Sequence, residues 1–489
     1  MSLSPSTEPI KLPPMLGLPA DFTVPDVIPL TTPSVPVPSI INTERALERA
    51  AESLRAASGP VAVDTERAQG IRYGIRAFLV QLKREDKLYL IDPEAFSDLR
   101  IINDALADAE WIIHAATQDF PSLDLLGMRP RLLFDTELGA RLAGLERVNL
   151  GAVVEELLGY KLEKKHSQED WSQRPLPESW LNYACLDVDV LADLRDALEE
   201  VLEDQGKLEY ARQEFAYLCS LPPADPAAKK AERWRKTKGR NTLRSVPQLT
   251  ALRNLWFERD KLAQKKDIDS KALLSDAALV EAAQKMPRNV PAIMAIPGFR
   301  TRLLKREGPR WVRAIVSASR GEDPAPYTIP ATAPPPLKAW ETKRPISLEI
   351  LSEVRKIVQR ESERLNIPAQ NIISADCIRR LCWDPPEPYS QEALLEALRS
   401  HDVRPWQVEI LARIFMKFSS DTLANALTHG SLNPRKIWRR APHNKTVYSR
   451  AYDLSSRFIR ERHAAIPQVW SPQHHTSPAS HTGEFKEER

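Results

Sequence analysis

The spacing of apolar residues changes between residues 41 and 221, and each change predicts a different kind of element. The stretch "NTERALERAAESLRAA" has apolar side chains three and four residues apart, which predicts a helix capped by Asn42 or Thr43. Three apolar runs separated by turn residues predict strands: "GPVAVDTE", "AFLVQLKRED" and "KLYLIDP". A helix over 97–109, the strand "WIIHAA" and a mostly helical remainder complete the region. Strands clustered first and helices after predict a mixed α/β layer fold.

Proline content and helical spacing divide the rest of the chain. The fold class predicted is α/β plus all-α. Along the chain we predict a disordered Pro-rich lead (1–40), a mixed-sheet domain (41–221), a basic linker (222–245), a helical domain (246–321), a Pro-rich linker (322–346), a second helical domain (347–420) and a largely disordered tail (421–489). The two helical domains resemble each other weakly when aligned from Arg259 and Arg360. That alignment needs a two-residue gap, so it suggests a repeat without establishing one.

The net charge of +3 conceals an asymmetry along the chain. Residues 41–220 contain 21 Lys and Arg against 34 Asp and Glu, whereas residues 221–489 contain 47 against 29. A basic rear half suits a polyanion such as nucleic acid, although the same bias can simply serve solubility.

Other features of the composition bear on the compartment. No apolar run reaches the roughly 18 residues of a membrane span, and the N-terminus lacks the pattern of a signal peptide. The four cysteines form no CxxC pair and suggest no disulfide framework. We therefore expect a cytoplasmic protein that does not act at a membrane.

Asp64 and Glu66 stand at the end of the apolar run Val61-Ala62-Val63. Residues two apart in a strand point the same way, so these carboxylates would lie side by side at the end of a buried strand. They would repel each other and resist desolvation unless a positive charge lay between them, and a hard divalent cation is the obvious candidate. The alternative is a strand that simply ends in a solvated turn.

Two further acidic positions follow later in the chain. Asp119 comes just after the strand "WIIHAA", near the start of a helix, where it could also be a simple cap. Tyr183 and Asp187 are four residues apart and share one face of a helix, as they would in any amphipathic helix. If the four acids converge, they could bind two divalent cations about 4 Å apart, the arrangement used for phosphodiester cleavage. Tyr183 would then orient or deprotonate the attacking water.

The motifs "VAVDTE", "HAATQDF" and "YACLDVDVL", in this order, resemble the three exonuclease motifs of the DEDD superfamily, tyrosine subclass. The segment from "FDTELGARLAG" through "SQEDWSQRPLPESWLNYACLDVDVL" narrows the resemblance to the ribonuclease D family. The helical region from Val246 resembles an HRDC domain, and residues 347–420 resemble a second, degenerate one. Together these resemblances cover roughly residues 41–420.

The resemblance implies an RNase H-like mixed-sheet core with 3′→5′ exoribonuclease activity. Such an enzyme releases 5′-mononucleotides from single-stranded RNA 3′ ends, with tRNA precursors as the expected substrates. It also implies that Asp64 bridges two Mg²⁺ or Mn²⁺ ions, that Glu66 and Asp187 complete one site, and that Asp119 serves the second. A monomer is expected, because no coiled-coil heptads argue for assembly.

Four residues are predicted to contact the substrate. Arg67 stands where the family commonly has a large aromatic, and it could stack on a base or pair with a phosphate. Ser167 precedes Asp170-Trp171, in a loop that the family resemblance places at the substrate backbone; capping of the loop around a buried Trp171 is the alternative. Trp234 and Arg235 belong to a basic run that suits single-strand recognition, or equally a solvated helix face with one docked tryptophan.

Two other functions remain open at this stage. The same chemistry could act on DNA, because the motifs do not report the 2′-hydroxyl. The chain could also be a nucleic-acid-binding protein with an inactive nuclease site. That second alternative predicts a missing carboxylate, whereas this sequence keeps all four acids and Tyr183.

Overall fold

The computed structural model describes residues 27–163, 166, 169–223, 232–325, 333–386 and 391–411. Strands occur only in the first part of this described chain, where the mixed-sheet domain was predicted. Their bounds are β1 Ile28–Leu30, β2 Ile40–Ile41, β3 Val61–Arg67, β4 Ala77–Arg84, β5 Lys87–Ile91, β6 Glu110–Ile113, β7 Leu132–Asp135 and β8 Tyr160–Leu162.

Six of these strands form one mixed sheet, in the order β2-β5-β4-β3-β6-β7. β3, β4 and β5 pair antiparallel, whereas β2, β6 and β7 join in parallel. β3 lies inside the sheet, and Val61, Ala62 and Val63 are at most 2% exposed. A strand covered on both faces reads as a continuous apolar run, which explains why these three residues do not alternate with polar ones.

The helices of this domain follow the predicted order, although the helix expected over 97–109 is shorter. They are α1 Glu44–Ala56, α2 Arg100–Ala105, α3 Ala116–Leu125, α4 Thr136–Ala143, α5 Leu150–Leu158, α6 Glu178–Asp189, α7 Leu191–Asp204 and α8 Leu208–Ser220. Thr43 is the N-cap residue of α1, as predicted, but its side chain makes no capping hydrogen bond. Helices α3, α6 and α7 pack on β3, so the strand that carries the first carboxylates is held from several sides.

The prediction that residues 1–40 are disordered is wrong from residue 27 onward. β1 pairs in parallel with β8, and β2 extends the main sheet at β5. Between them, Ser34 donates two hydrogen bonds to the carboxylate of Asp189, from its backbone N–H (2.7 Å) and its hydroxyl (2.6 Å). Strands of two and three residues carry no sequence period, and their partners are distant along the chain, so the local pattern could not reveal them.

The first helical domain contains six helices among the described residues: α9 Val246–Lys266, α10 Ser270–Leu273, α11 Asp276–Lys285, α12 Val290–Met294, α13 Arg302–Arg306 and α14 Gly308–Ser319. Part of the predicted linker 222–245 belongs to this domain. Short 3₁₀ turns form at Arg233–Lys236 and Arg240–Thr242, and Trp234 is only 1% exposed within the core of the helical domain. Burial of a large indole outweighs the preference of its basic neighbours for solvent.

The second helical domain contains α15 Trp340–Lys343, α16 Pro345–Leu365, α17 Ala369–Ile372, α18 Ala375–Trp383 and α19 Gln391–Arg399. α15 lies inside the predicted linker 322–346, and its Trp340 is fully buried. In the ranges that the structure describes, no helix is long and apolar enough to cross a membrane.

The two helical domains repeat one pattern with a constant offset of 99 residues. The equivalent helix starts are Val246 and Pro345, Ser270 and Ala369, and Asp276 and Ala375. In each domain the long helix ends at a residue in the left-handed conformation, Asp267 (φ 50°) in the first and Asn366 (φ 48°) in the second. The repeat therefore needs no gap, and the register that aligned Arg259 with Arg360 is two residues off.

Candidate active site

β3 positions the first two carboxylates on one face of the sheet. Asp64 lies opposite Gln81 of β4, and Glu66 lies opposite Leu79. The register between the two strands shifts between Glu66 and Arg67, and such an irregularity re-aims the side chains that follow it. Asp64 and Glu66 therefore keep the regular alternation of the strand, while Arg67 leaves it.

Helix α6 supplies the third carboxylate and the tyrosine. Tyr183 and Asp187 share the helix face, and α6 packs against β3 and β4. Carboxylate oxygens of Asp64, Glu66 and Asp187 all lie within 4.8 Å of one another. The structure thus brings together three of the four predicted carboxylates, although they are separated by more than 120 residues in sequence.

Asp119 lies beside this cluster and is 3% exposed. Its Oδ1 accepts a hydrogen bond from the Thr65 hydroxyl at 2.7 Å, and Nη2 of Arg67 is 3.5 Å from the same oxygen. The three-carboxylate cluster found among the described residues does not include Asp119. Even so, after burial itself, repulsion from Asp119 is the largest cause of the raised pKa of Asp64. The fourth acid therefore acts on the cluster through its charge.

Asp135, at the end of β7, was not among the predicted site residues, yet it positions Asp119. Its carboxylate accepts backbone hydrogen bonds from Ala115 (3.1 Å) and Ala116 (2.9 Å), where α3 begins, and it also caps α4. Ala115 has φ 64°, in a region that residues with a Cβ rarely adopt. These bonds hold the strained entry to the helix that carries Asp119. The sequence "FDTE" signals the cap of α4 but not this second role.

Burial raises the pKa of all four carboxyl groups. For Glu66, repulsion from Asp64 and Asp187 adds to burial. For Asp187, burial raises the pKa to about 7, although a hydrogen bond from Tyr183 acts in the opposite direction. Arg67 lowers the pKa of Asp119 without offsetting its burial. The protein alone therefore does not supply enough positive charge to ionise this cluster comfortably at neutral pH.

The Tyr183 hydroxyl keeps its proton throughout the physiological pH range. Burial, followed by repulsion from Asp187 and Glu66, raises its pKa well above the ordinary value. A protonated hydroxyl beside a carboxylate donates a hydrogen bond, so of the two roles predicted for Tyr183 the structure favours orienting a water molecule over deprotonating it.

The cluster has the donor set that a hard divalent cation prefers. Its ligand atoms are all carboxylate oxygens, they converge within 4.8 Å, and their raised pKa values show that a compensating charge would be favourable. The residues present therefore fit a divalent metal ion.

The raised pKa of Asp187 predicts how the metal-free protein responds to pH. The folded state favours the protonated acid, so the stabilisation is complete below the unfolded value near 3.8 and is lost as pH rises through about 7. Between pH 5 and pH 8 in EDTA, we expect the wild-type chain to lose about 2 kcal/mol relative to Asp187→Asn, allowing for partial solvent exposure. Urea unfolding of both proteins measures this difference. Parallel pH profiles would contradict it.

A cavity of about 460 Å³ opens beside the carboxylates, a volume within the range of small-molecule sites. It is lined by Thr65, Glu66, Arg67, Gln69, Gly70, Ile71 and Glu169. Arg67 lies in its wall and pairs with Asp119, and its guanidinium also donates to the Gln118 carbonyl. Its predicted contact with substrate stays a prediction. Its protein partners are groups that the sequence did not indicate.

The structure gives different results for the other three predicted substrate contacts. Trp234 is buried in the helical domain and has no face free for a base, so that prediction is wrong. Arg235 stacks on Trp234 at 4.3 Å and pairs with Glu232, and its predicted contact with substrate stays a prediction. Ser167 lies outside the described residues. Trp171, near it, is fully buried and donates its indole N–H to the His166 carbonyl at 3.1 Å, as the loop-capping alternative expected.

Family models match most of the chain. Residues 38–203 match the family described as "3'-5' exonuclease", residues 248–315 match "HRDC domain", and residues 333–418 match "3' to 5' exonuclease C-terminal domain". The second helical domain thus matches a description different from that of the first.

Individual relatives agree with these matches. Ribonuclease D of Gluconacetobacter diazotrophicus is 30% identical over 359 residues, which is 72% of this chain and 87% of the relative. A crystal structure of a protein from Bifidobacterium adolescentis is 34% identical and superposes with a TM-score of 0.71, covering 80% of this chain and 99% of the other. The crystal structure of Escherichia coli RNase D is 26% identical with a TM-score of 0.57, covering 74% and 98%.

A mixed-sheet domain with an acidic cluster at the end of β3, followed by an HRDC domain, defines a 3′→5′ exonuclease with a helical C-terminal region. The extent of the match to G. diazotrophicus ribonuclease D shows to which family of such exonucleases the chain belongs. The chain belongs to the ribonuclease D family. It is a 3′→5′ exoribonuclease that acts on RNA and uses divalent metal ions.

Proposed function

We propose that Asp64, Glu66, Asp119 and Asp187 hold two divalent cations, Mg²⁺ or Mn²⁺, at the 3′-terminal phosphodiester of RNA. The observation that carries the proposal is the convergence of three carboxylates within 4.8 Å beside a nucleotide-sized cavity. When bound, such cations lower the pKa of water and neutralise the charge that develops on the leaving oxygen. Asp64 would be the residue shared by both cation sites, and the repulsion of its charge by Asp119 and by Asp187 supports this role.

The side chains around the cluster have separate proposed tasks. The Tyr183 hydroxyl, with its retained proton directed to Asp187, accepts a hydrogen bond from the attacking water and so orients it. Thr65 holds the Asp119 carboxylate in one rotamer through its 2.7 Å hydrogen bond. Arg67, which pairs with Asp119 on the cavity wall, would contact the terminal nucleotide in place of an aromatic side chain.

The proposed substrate is a tRNA precursor with a single-stranded 3′ end, and the proposed working form is a cytoplasmic monomer. The crystal structure of the E. coli relative is described as that of "an exoribonuclease involved in structured RNA processing", which supports a structured stable RNA. The cysteines Cys185, Cys219, Cys377 and Cys382 are all free thiols, in keeping with a reducing compartment.

Digestion of a 5′-labelled single-stranded RNA tests the proposal directly. The RNA is incubated with the full chain in Mg²⁺, in Mn²⁺ or in EDTA, beside a DNA strand of matched sequence. We expect a ladder that shortens from the 3′ end with either metal, 5′-mononucleotides as products, no reaction in EDTA, and slower digestion of DNA. RNA that stays intact in every metal would contradict the proposed site, and equal digestion of DNA would contradict the RNA assignment.

A tRNA precursor carrying a short 3′ trailer tests the substrate class. The full chain should remove the trailer and slow down at the base-paired acceptor stem, because a base-paired stem is bulkier than the single strand that a cavity of about 460 Å³ would receive. An RNA of the same length without secondary structure serves as the control. Degradation of both RNAs at the same rate to the same end would contradict a maturation role.

A further inference from the structure

The loop 68–76 joins β3 to β4 directly after Arg67, and it faces two parts of the molecule. On one side Gln69, Gly70 and Ile71 form part of the wall of the active-site cavity. On the other side the loop meets the HRDC domain. Among the described residues, this loop is the segment of the cavity wall whose contacts extend to that domain.

The contacts with the HRDC domain are direct and well formed. The guanidinium of Arg76 binds the carboxylate of Asp267 with two parallel hydrogen bonds of 2.8 and 2.7 Å. The Tyr73 hydroxyl donates to Oδ1 of Asp260 at 3.0 Å. The backbone N–H of Asp269 donates to the carbonyl of Ile71 at 2.9 Å, so a residue that lines the cavity is itself hydrogen-bonded to the HRDC domain.

The loop is also fixed to the nuclease domain near the third motif. Nε of Arg72 donates to the Ser172 hydroxyl at 2.7 Å, while Nη1 of Arg72 lies 3.7 Å from the Asp267 carboxylate. The HRDC residues that meet the loop lie around the end of α9, at 260–269, and are called the HRDC corner below. Arg72 therefore links the HRDC corner, the loop, and the segment that leads into α6. Bidentate arginine–carboxylate pairs fix orientation as well as distance, so Asp267 holds the loop in one place.

The chemistry of this corner argues against RNA as its partner. Two HRDC carboxylates face the loop, those of Asp260 and Asp267, whereas Asp269 meets it through its backbone N–H and uses its carboxylate to cap α10. Carboxylates repel phosphate, whereas Arg72, Tyr73 and Arg76 are the donors that they suit. The corner is therefore complementary to the loop of its own chain.

The repeat supplies an internal comparison. Asn366 occupies the position of Asp267 in the second helical domain, at the same left-handed cap. Its backbone carbonyl accepts a hydrogen bond from Lys207 at 3.3 Å, and its side chain approaches the Gly144 carbonyl at 3.5 Å. A Cβ on Gly144 would lie 2.1 Å from the Asn366 side chain, so this contact is close and needs glycine. Each domain thus contacts the nuclease through the same corner, but only Asp267 meets the active-site loop.

We propose that the HRDC domain is a positioning element of the nuclease site: through Asp267 and Asp269 it fixes the loop 68–76, and with it the cavity wall that receives the RNA 3′ end. The HRDC domain then sets the rate of hydrolysis as well as the affinity for RNA. This inference rests on the proposed hydrolysis at the carboxylate cluster, and it adds a role for residues that touch neither metal nor substrate.

A charge reversal in the full chain tests the proposal on two substrates. Asp267→Arg places like charges against Arg76 and Arg72, and we expect kcat on an RNA trinucleotide to fall about 10-fold, because small displacements at a reacting centre are costly. The isosteric variant Asp267→Asn should also have a lower kcat on the trinucleotide, but by a smaller factor. The double variant Arg76→Asp with Asp267→Arg should recover part of this loss, because Arg72 and Glu94 still face like charges in the exchanged pair. A trinucleotide is too short to rely on an extended RNA-binding surface, so the effect reports the loop.

Asn366→Asp is the matched control, since it changes the equivalent cap of the other helical domain, and its kcat should stay within about 2-fold of wild type. Thermal unfolding should place all variants near wild type, because a pair that is about one-third exposed adds little global stability. An unchanged kcat on the trinucleotide, with a raised KM only on a 20-nucleotide RNA, would overturn the proposal. So would a failure of the double variant to recover. A wild-type chain that hydrolyses neither RNA would overturn the proposed hydrolysis and this inference with it.

Discussion

The Asp64→Asn variant is expected to hydrolyse RNA at least about 10⁴-fold more slowly than the wild-type chain. Repulsion from Asp119 and from Asp187 raises the pKa of Asp64, so its charge interacts with both acids. Asparagine keeps the shape of the side chain but removes the anion that would draw both cations together. A loss of about 5 kcal/mol of transition-state stabilisation corresponds to this factor.

Single-turnover digestion of a 5′-labelled RNA measures the loss, and a gel shift in EDTA should show RNA affinity within about 2-fold of wild type. Asp86→Asn, in the exposed turn between β4 and β5, is the matched control and should leave the rate unchanged. The Asp64→Asn chain should also unfold at a higher temperature than wild type in EDTA, because it removes one of the mutually repelling acids. Residual activity above about one-tenth of wild type would contradict the assignment of Asp64.

The Tyr183→Phe variant is expected to lose about 10²-fold to 10³-fold in kcat with little change in KM. The tyrosine hydroxyl lies beside Asp187 and retains its proton, so its removal takes away a hydrogen bond that orients water rather than a base. Because no base is lost, the alkaline limb of the pH profile should keep its wild-type shape, whereas the acid limb moves to higher pH because Asp187 loses the hydrogen bond that lowers its pKa.

Steady-state digestion from pH 6 to pH 9 checks both statements. Tyr89→Phe is the control: this tyrosine lies in the same domain, and its hydroxyl donates to Ser53 instead of to an acid. If Tyr183 were the base, the Tyr183→Phe profile would lose its alkaline limb. That result would contradict the orienting role.

Much of the site was predictable because its residues stand next to strong local patterns. Asp64 and Glu66 follow an apolar run, and Tyr183 and Asp187 have helical spacing, so the sequence indicates both the elements and the faces. The period and the length of an apolar pattern cannot indicate how far apart side chains from different elements lie. The pairing of Asp119 with Thr65 and Arg67, instead of with the other acids, depends on the local shift in register after Glu66 and on the strained turn at Ala115.

The mistaken predictions share a physical cause. A tryptophan among lysines and arginines has the same sequence whether its ring faces solvent or a core, and Trp234 faces the core. The short strands β1 and β2 have no period of their own and form only because β8 and β5 offer them partners. The repeat between the helical domains was aligned by matching basic residues, whereas the structure aligns them by helix ends, which depend on backbone conformation at Asp267 and Asn366.

The contact of Ser34 with Asp189 sets a limit on where the chain can be shortened. Asp189 is two residues after Asp187 on the same helix, and it is held by Ser34 and by Lys83 at 2.7 Å. The sequence shared with the exonuclease family begins only at residue 38, beyond Ser34. A truncation designed from that shared sequence would remove both hydrogen bonds from Ser34 to the end of α6. Truncated forms of this nuclease should therefore begin no later than residue 27, and proteolytic cleavage between residues 34 and 43 would loosen the helix that carries the third carboxylate.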